Sequence, residues 1–279
     1  MFRGFYTVAS GMIAQQRKTE MLTNNIANAN TPGFKAEQAS IRSFPEMYMA
    51  NINKTHIPTE DGFTMSGLSP LGPISTGVYM QETSPLLTQG QLLETELTTD
   101  IALINGNLPV NEETGLSSSL FFTLENDEGG QLYTRNGNFA LDASGFLTNP
   151  AGYYVLDTAG NRIELQSDDF RVTDTGVIME GNNAVATLGI SFAENVEILM
   201  KQGDGLFVTE TGEDLVAANG VADVSYSMQQ GYLEGSNVDA GRAMTDMLTA
   251  YRAFEANQKI LQAYDRSMEK TVNEVGRVT

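Results

Sequence analysis

The sequence contains no cysteine and no tryptophan, and its single histidine is His56. Without cysteine the chain cannot form disulfides or thiolate metal sites, although a disulfide-free protein can still work outside the cell. A Ser-His-Asp or Cys-His catalytic arrangement would have to use His56, which stands in a proline-rich stretch. We therefore expect no nucleophilic catalytic residues of these kinds.

Long apolar runs are also absent. No stretch of eighteen apolar residues occurs, so we expect no membrane-spanning helix. The first residues lead into an amphipathic stretch instead of an unbroken apolar one, which predicts that no signal peptide is cleaved. If the protein leaves the cytoplasm, we expect it to use a route that does not read such a signal.

The remaining motifs for chemistry are weak. Residues 174–176 read DTG, the tripeptide of aspartic proteases, but that dyad needs two copies and only one is present. A β-turn is the better interpretation. No calcium-binding loop of alternating aspartates occurs, and residues 203–205 are too short and too acidic to hold a phosphate. We predict no catalytic, cofactor-binding or metal site.

The charge is unevenly distributed along the chain. The formal net charge is −19, yet residues 1–35 hold four basic and one acidic side chain, and residues 239–279 hold six of each. Residues 36–238 hold six basic against 28 acidic side chains, a net of −22. Phosphate binding needs a basic face, so this distribution argues against nucleic acid as a partner.

The last forty residues carry an apolar stripe with heptad spacing. Its members are Met244, Met247, Tyr251, Phe254, Leu261, Met268, Val272 and Val275, interrupted by Gln258 and Asp265. No proline occurs there, so the pattern predicts one long amphipathic helix that packs against another helix. An ordinary core helix is the alternative, but a stripe of four heptads exceeds the usual length.

The first thirty residues carry a matching stripe. One face of this segment holds the apolar residues Phe5, Val8, Met12, Leu22 and Ile26. In the middle of that face, the polar Gln15 and Thr19 interrupt the apolar pattern. We expect this helix to begin near Phe2 and to end within residues 28–33. Pro32 excludes helical dihedrals at Thr31, and Gly33 suits a left-handed turn.

The residues between these helices indicate β-structure. Residues 34–90 hold five prolines and predict an extended connector with short strands such as residues 77–80, or alternatively a disordered linker. Beyond them, Asn136-Gly137 predicts a hairpin, and three turns that begin at Asp142, Asn149 and Asp157 predict a meander of short antiparallel strands. The predicted fold is mixed and mainly β, with the central antiparallel β-structure inserted between terminal helices that pair as a coiled coil.

Three stretches of the chain carry longer motifs. The first, LTNNIANANTPGFK at residues 22–35, is similar to the N-terminal signature of the rod and hook protein family of the bacterial flagellum. Residues 133–139, YTRNGNF, followed by Gly145, Leu147, Gly152 and Tyr153, resemble its central motif. The third stretch is similar to the C-terminal helix of the family and the residues before it. It comprises LEGSNV at residues 233–238, followed by Met247, Tyr251, Arg252, Ala253, Phe254, Glu255 and Asn257.

This resemblance implies a rod-type axial subunit of the flagellar basal body, exported by the flagellar type III system and stacked helically in the rod or rod–hook region. It implies an inner-tube assembly domain of residues 1–35 and 237–279, a connecting domain of residues 36–90 and 200–236, and an outer β domain of residues 91–199. The expected partners are copies of itself, other rod and hook proteins and the export apparatus, with no nucleic acid and no small-molecule substrate. The expected assembly interface comprises Phe5, Val8, Met12, Leu22, Asn25, Ile26, Met244, Met247, Tyr251, Phe254, Leu261 and Met268.

One stretch departs from the family pattern. Where the family has a sequence like LDLAI-x-G-x-GFF, residues 99–109 read TDIALINGNLP, so Leu108-Pro109 replaces an aromatic pair. A different function class also stays open at this point. The acidic β-rich middle would suit a secreted binding protein or a polysaccharide-acting enzyme that its helical ends merely oligomerise.

Overall fold

The computed structural model describes residues 2–57, 63–111, 117–126 and 129–275. The fold is mixed and mainly β, with one long helix near each end of the chain. Helix α1 is Phe2–Ala27 and helix α2 is Ala240–Lys270, followed by a π-helical turn at Thr271–Val275. Both predicted helices are therefore present. Within the described residues, neither is long and apolar enough to cross a membrane.

The chain forms two compact units. The first comprises Met1–Asn24, Gln38–Thr83 and Gly241–Thr279, and the second comprises Asn25–Glu37 and Ser84–Ala240. Strand β1 (Glu37–Gln38) lies where the chain passes between them. The strands of the first unit are β2 (Ile41–Ser43), β3 (Met47–Ile57), β4 (Phe63–Ile74) and β5 (Val78–Met80).

The strands of the first unit form two antiparallel pairs. Strands β3 and β4 pair from Met47↔Ile74 to Ile57↔Phe63, and β2 pairs with β5. The backbone of His56 pairs with Thr64 in this ladder, whereas its side chain lies outside those described. Helix α1 is held to the start of β5, where the Val78 N–H donates to Ser10 Oγ at 3.2 Å. The predicted short strand at residues 77–80 is confirmed as β5, whereas the longer pair β3 and β4, of 11 and 12 residues, was not predicted.

The second unit holds the larger hydrophobic core. Its strands are β6 (Ser84–Pro85), β7 (Leu92–Glu94), β8 (Ile101–Asn105), β9 (Ser119–Glu125), β10 (Gln131–Thr134), β11 (Ala140–Leu141), β12 (Leu147–Thr148), β13 (Arg171–Val172), β14 (Val177–Glu180), β15 (Asn183–Thr187), β16 (Ile190–Ala193), β17 (Leu199–Gly203), β18 (Leu206–Thr209), β19 (Val216–Ala217), β20 (Tyr226–Gln230) and β21 (Tyr232–Glu234). Two short 3-10 turns, Val196–Ile198 and Ala218–Gly220, complete it.

A six-stranded antiparallel sheet with the order β17-β18-β10-β9-β16-β19 organises this unit. Side chains along β9 alternate between its two faces, as the pleat requires. Leu120, Phe122 and Leu124 enter the main core, whereas Phe121 packs with Tyr133 and Phe207 in a smaller core. Beside this sheet, β8 pairs with β20 and β7 pairs with β21, both antiparallel.

The three predicted turns are confirmed in atomic detail. The side-chain oxygens of Asp142, Asn149 and Asp157 each accept two backbone N–H groups from the residues two and four positions later. Each turn therefore satisfies its own donors. Residues 174–176 also form a turn, in which the Gly176 N–H donates to Thr173 O at 2.8 Å.

The predicted hairpin at Asn136-Gly137 is wrong, and the meander is only partly right. Strand β10 pairs with β9 and β18, whereas β11 pairs with β12. The expected type I′ turn needs positive φ at both central residues, and neither Asn136 nor Gly137 has it. Gly137 instead lies against the backbone of Ile101, and its carbonyl accepts the Ile101 N–H at 3.0 Å.

This contact yields a test of the packing at Gly137. A Cβ added there would overlap the carbonyl oxygen of Ile101, whereas one added at Gly220 would meet nothing within 4 Å. Overpacking of this kind costs about 1–3 kcal/mol or more. We expect Gly137→Ala to lower the free energy of unfolding in urea by that amount and Gly220→Ala to change it little. Equal effects of the two variants would contradict this account.

Candidate functional site

Two short connectors leave the helices and meet in the second unit. Residues 33–37 follow α1, and residues 233–237 precede α2. We call the cluster of Lys35, Arg135 and Glu234, which binds these connectors together, the connector junction. Each of its three side chains is 98% buried or more. A buried charge is tolerated only when it is paired and hydrogen-bonded, so the geometry of this cluster decides its effect.

The carboxylate of Glu234 is the centre of the connector junction. Its Oε1 accepts Lys35 Nζ at 2.6 Å and the Gly90 N–H at 2.7 Å, and its Oε2 accepts Arg135 Nε at 2.5 Å. Charge-assisted hydrogen bonds of this length are about twice as strong as neutral ones. One anion therefore holds two cations and a backbone donor that come from three distant parts of the chain.

The remaining donors of the two cations are also satisfied. Arg135 donates through one terminal nitrogen to Leu120 O at 2.8 Å, and through the other to Leu103 O at 2.8 Å and Asn105 Oδ1 at 2.7 Å. Lys35 Nζ donates to Thr88 O at 2.9 Å. The planar fork of a guanidinium suits this set of acceptors, which the single ammonium of a lysine could not reach.

The electrostatics of the junction follow from burial and from the excess of cations. Burial alone would raise the pKa of Glu234, but Arg135 and Lys35 hold the pKa of its carboxyl below the usual value. Burial lowers the pKa of Lys35, with Arg135 adding to this effect and Glu234 opposing it. Glu234 is therefore held as the anion, whereas burial acts against the charged form of Lys35.

Gly33 allows the two connectors to touch. Its N–H donates to the backbone oxygen of Glu234 at 2.7 Å, and its φ is 70°. A Cβ at this position would lie 2.5 Å from the backbone nitrogen of Asn136. Close approach and positive φ both require glycine here.

Two asparagine side chains fix the connectors further by acting as backbone partners. Asn25 donates to Glu37 O and accepts the Glu37 N–H, both at 2.9 Å. Asn237 accepts the Ala36 N–H at 2.7 Å and donates to Leu86 O at 2.7 Å. Residues 33–37 are consequently anchored along their whole length.

Strand β17 supplies a further contact to the first connector. The ammonium of Lys201 lies 4.2 Å from the centre of the Phe34 ring and 2.8 Å from Glu37 Oε1. This ion pair is about a fifth exposed, so solvent screens it more than it screens the buried junction.

Sequence reasoning did not assign roles to Lys35, Arg135 or Glu234, although all three lie in the stretches that resemble the family. A signal was present, because Arg135 and Glu234 each end a short apolar, strand-like run. Asn25 was expected at the assembly interface. It is 4% exposed and bonds within its own chain, and its part in assembly stays a prediction.

The terminal helices approach each other within the first unit. Gly4 faces the ring tip of Tyr264, Gly11 faces Asn257, and Thr23 Oγ1 lies 3.7 Å from Met247 Sδ. As the residue number increases along α1, the number of the contacting residue on α2 decreases, so the two helices run antiparallel.

At every second position of the predicted stripe of α2, the residue that faces inward is the one immediately before the predicted residue. Met247, Phe254, Leu261 and Met268 are partly buried, as the pattern indicates. Ala243 and Ala250 are buried between them, whereas Met244 is 54% and Tyr251 is 53% exposed. Correspondingly, the partly buried Asn257 and Tyr264 occupy the inward positions, and Gln258 and Asp265 are exposed.

The predicted stripe of α1 lies on its less exposed side. Leu22 is 6% exposed, and Phe5, Val8, Met12 and Ile26 are partly buried. At the far end of α2, Val272 is 72% exposed, and the side chain of Val275 lies outside those described.

The described residues hold no group of three or more histidine, cysteine or acidic side chains placed to bind a metal ion. A cleft of about 310 Å³ is lined by Glu125, Arg162 and Asp214 among others. Its arginine is already paired with Glu125, at 2.5 Å, and lies over the Tyr154 ring.

The junction predicts an asymmetry between its members. Glu234→Gln leaves two buried cations without their anion, and breaking a buried pair in this way costs about 3–5 kcal/mol. Lys35→Met keeps the Arg135–Glu234 pair and removes the burial penalty of the ammonium, so we expect a smaller loss. Urea unfolding followed by circular dichroism checks this order. Equal losses would contradict the central role of Glu234.

The junction also predicts that the protein loses stability at acidic pH. The folded pKa of Glu234 is lowered, so its stabilising contribution is complete above the ordinary carboxyl pKa of about 4.3 and is lost as pH falls through the folded pKa. We expect the unfolding free energy to fall on acidification below that value, and to fall less steeply in Glu234→Gln. Glu164→Gln, at an exposed side chain, is the control and should keep the parent slope.

The three segments that meet at the junction each match a described family. Residues 5–35 match "Flagella basal body rod protein", residues 117–180 match "Flagellar hook protein FlgE/F/G D1 domain", and residues 229–274 match "Flagellar basal body rod FlgEFG protein C-terminal". Lys35, Arg135 and Glu234 fall one in each match.

Similar proteins span the whole chain. "Flagellar hook-basal body complex protein FlhO" of Bacillus subtilis is 43% identical over 278 residues, which cover 100% of both chains. "Flagellar basal-body rod protein FlgG" is 32% identical in Agrobacterium fabrum, over 94% of this chain and 95% of that one, and 30% identical in Borreliella burgdorferi, over 96% and 97%. The expected resemblance is thereby confirmed, and the chain belongs to the flagellar basal-body rod and hook protein family.

Proposed function

We propose that the chain is a structural axial subunit of the bacterial flagellum, located in the basal body at the rod or the rod–hook region. The observation that carries this proposal is the connector junction. It ties the residues that follow α1 to the residues that precede α2, and its members come from the three segments that match the family. A subunit that stacks through both ends of its chain needs those ends fixed to its body.

The proposed organisation assigns assembly to the terminal helices. Residues 1–35 and 237–279 form an inner-tube domain in which the helices pair as a coiled coil. Residues 36–90 and 200–236 form a connecting domain, and residues 91–199 form the outer β domain inserted between the helices. The antiparallel contacts of Gly4 with Tyr264 and of Gly11 with Asn257 support the pairing.

Exposed apolar side chains support an interface with further subunits. On α2, Met244, Leu248 and Tyr251 follow one another at helical spacing and are 52–54% exposed. On α1, Tyr6 is 65% and Ile13 is 52% exposed. Covering such groups contributes about 25 cal/mol per Å² of apolar area removed from water. Met244 and Tyr251 thus face neighbouring subunits, while Met247, Phe254, Leu261 and Met268 hold the pair together.

The proposed partners are copies of this chain and other rod and hook proteins, after export by the flagellar type III system. The support is the full-length similarity to proteins named as hook–basal body complex and basal-body rod components. We propose no enzymatic activity, since the family is one of structural proteins. The acidic surface of residues 36–238 then keeps the exposed β-structure soluble and separate from its neighbours.

A charge placed on the outer face of α2 tests this proposal. Tyr251→Asp puts an unpaired carboxylate where a neighbouring subunit would cover the helix, so we expect the variant to be lost from isolated hook–basal bodies. Quantitative mass spectrometry of those particles measures it. Gln258→Asp adds the same charge at an exposed polar position of the same helix and is the matched control.

The fold must be intact for this comparison to count. Tyr251 is exposed and lies in the first unit, so the urea midpoint of the second unit should match that of the parent. Recovery of Tyr251→Asp in hook–basal bodies at the parent level would exclude this face from assembly. Absence of the parent protein from those particles would overturn the proposed function itself.

A further inference from the structure

We infer that Gly4 and Gly11 on α1, acting with Tyr264 and Asn257 on α2, fix the register in which the terminal helices pair. This inference rests on the proposed function only because that function requires the two helices to pair. It names the residues that decide which of several similar heptad alignments the chain adopts.

The first observation is the space that each glycine leaves open. A Cβ added at Gly4 would overlap the Tyr264 hydroxyl and lie 2.8 Å from Cζ of its ring. A Cβ added at Gly11 would lie 3.2 Å from Asn257 Nδ2 and 3.8 Å from its Cγ. The α2 side chains therefore occupy the places that side chains at positions 4 and 11 would fill.

The second observation is the spacing. Gly4 and Gly11 are seven residues apart on α1, and Tyr264 and Asn257 are seven residues apart on α2. Both contacts consequently belong to one antiparallel heptad alignment. They are also the only glycines of α1, a helix in which glycine is otherwise unfavourable. Packing against α2 gives both of them a physical reason.

The third observation is the polarity of Asn257. The other buried or partly buried residues of α2 are alanine, methionine, phenylalanine, leucine and tyrosine, apart from Asp246, which lies beside Arg242, so Asn257 is the uncharged amide of the stripe. A polar side chain in a heptad seam specifies register at a cost in stability. Gly11 gives the amide room that a larger residue would not.

A shift by one heptad breaks this match in either direction. Moving α2 one way places Ala250 opposite Gly11, so two small residues face each other and leave a gap. Moving it the other way places Asn257 opposite Lys18 and Tyr264 opposite Gly11, and Gly4 then faces Thr271. Neither alignment pairs both glycines with the side chains that fill them.

Disulfide cross-linking in the full-length chain tests the register directly. The sequence contains no cysteine, so only introduced pairs can react. The pair Thr23→Cys and Met247→Cys reports the observed alignment, because Thr23 Oγ1 lies 3.7 Å from Met247 Sδ. Thr23→Cys with Phe254→Cys or with Ala240→Cys reports a shift of one heptad in each direction. Measurements use dilute protein that gel filtration shows to be monomeric.

Gly11→Leu is the decisive variant. We expect it to slow formation of the 23–247 cross-link at least tenfold, because leucine and Asn257 compete for one space. Asn257→Ala should restore the rate to within threefold of the parent in the double variant. Arg17→Leu introduces the same side chain at an exposed position of α1 and should leave the rate unchanged.

Each outcome decides the inference. A slowed 23–247 cross-link that Asn257→Ala rescues supports it, whether the shifted pairs gain or all pairs are lost. An unchanged cross-link in Gly11→Leu, or a loss that Asn257→Ala does not rescue, overturns it. The proposed function fails separately, through absence of the parent protein from hook–basal bodies, so the two results are distinguishable.

Discussion

The structure depends on one carboxylate. Glu234 accepts hydrogen bonds from Lys35, Arg135 and the Gly90 N–H in a site closed to water. These groups are separated by up to 199 residues of sequence. The interaction can form only when the chain has brought both helix connectors to the same strands of the second unit. Because a buried charge without its partner is so unfavourable, the junction disfavours arrangements that separate the two connectors.

The two cations of the junction contribute differently. Arg135 also binds Leu103 O, Leu120 O and Asn105 Oδ1, so it joins β8 and β9 to the carboxylate. Lys35 adds a second positive charge to a site that one cation would already neutralise, and burial lowers its pKa. Its presence is better explained by specificity than by stability, because it ties the residues after α1 to Glu234 and to Thr88 O.

Local rules predicted much of this fold, and long-range pairing explains what they missed. Heptad periodicity located both helices, and the Asx turns at Asp142, Asn149 and Asp157 formed as their own side chains dictate. The inward stripe of α2 lies one residue away from the predicted one at these positions, because the small Ala243 and Ala250 are buried there instead of the larger Met244 and Tyr251. Arg135 and Glu234 could not be paired from sequence, since a charge at the end of a strand does not reveal a partner 99 residues away.

The anchoring of residues 33–37 has a mechanical consequence. A force that pulls on α1 reaches the second unit through this connector, where it meets the ion pair of Lys35, the Gly33 N–H bond to Glu234 O and the amide of Asn237. These attachments lie within five consecutive residues, so freeing the connector from the second unit requires that all of them be broken. The connector therefore anchors the chain firmly where it enters the second unit after α1.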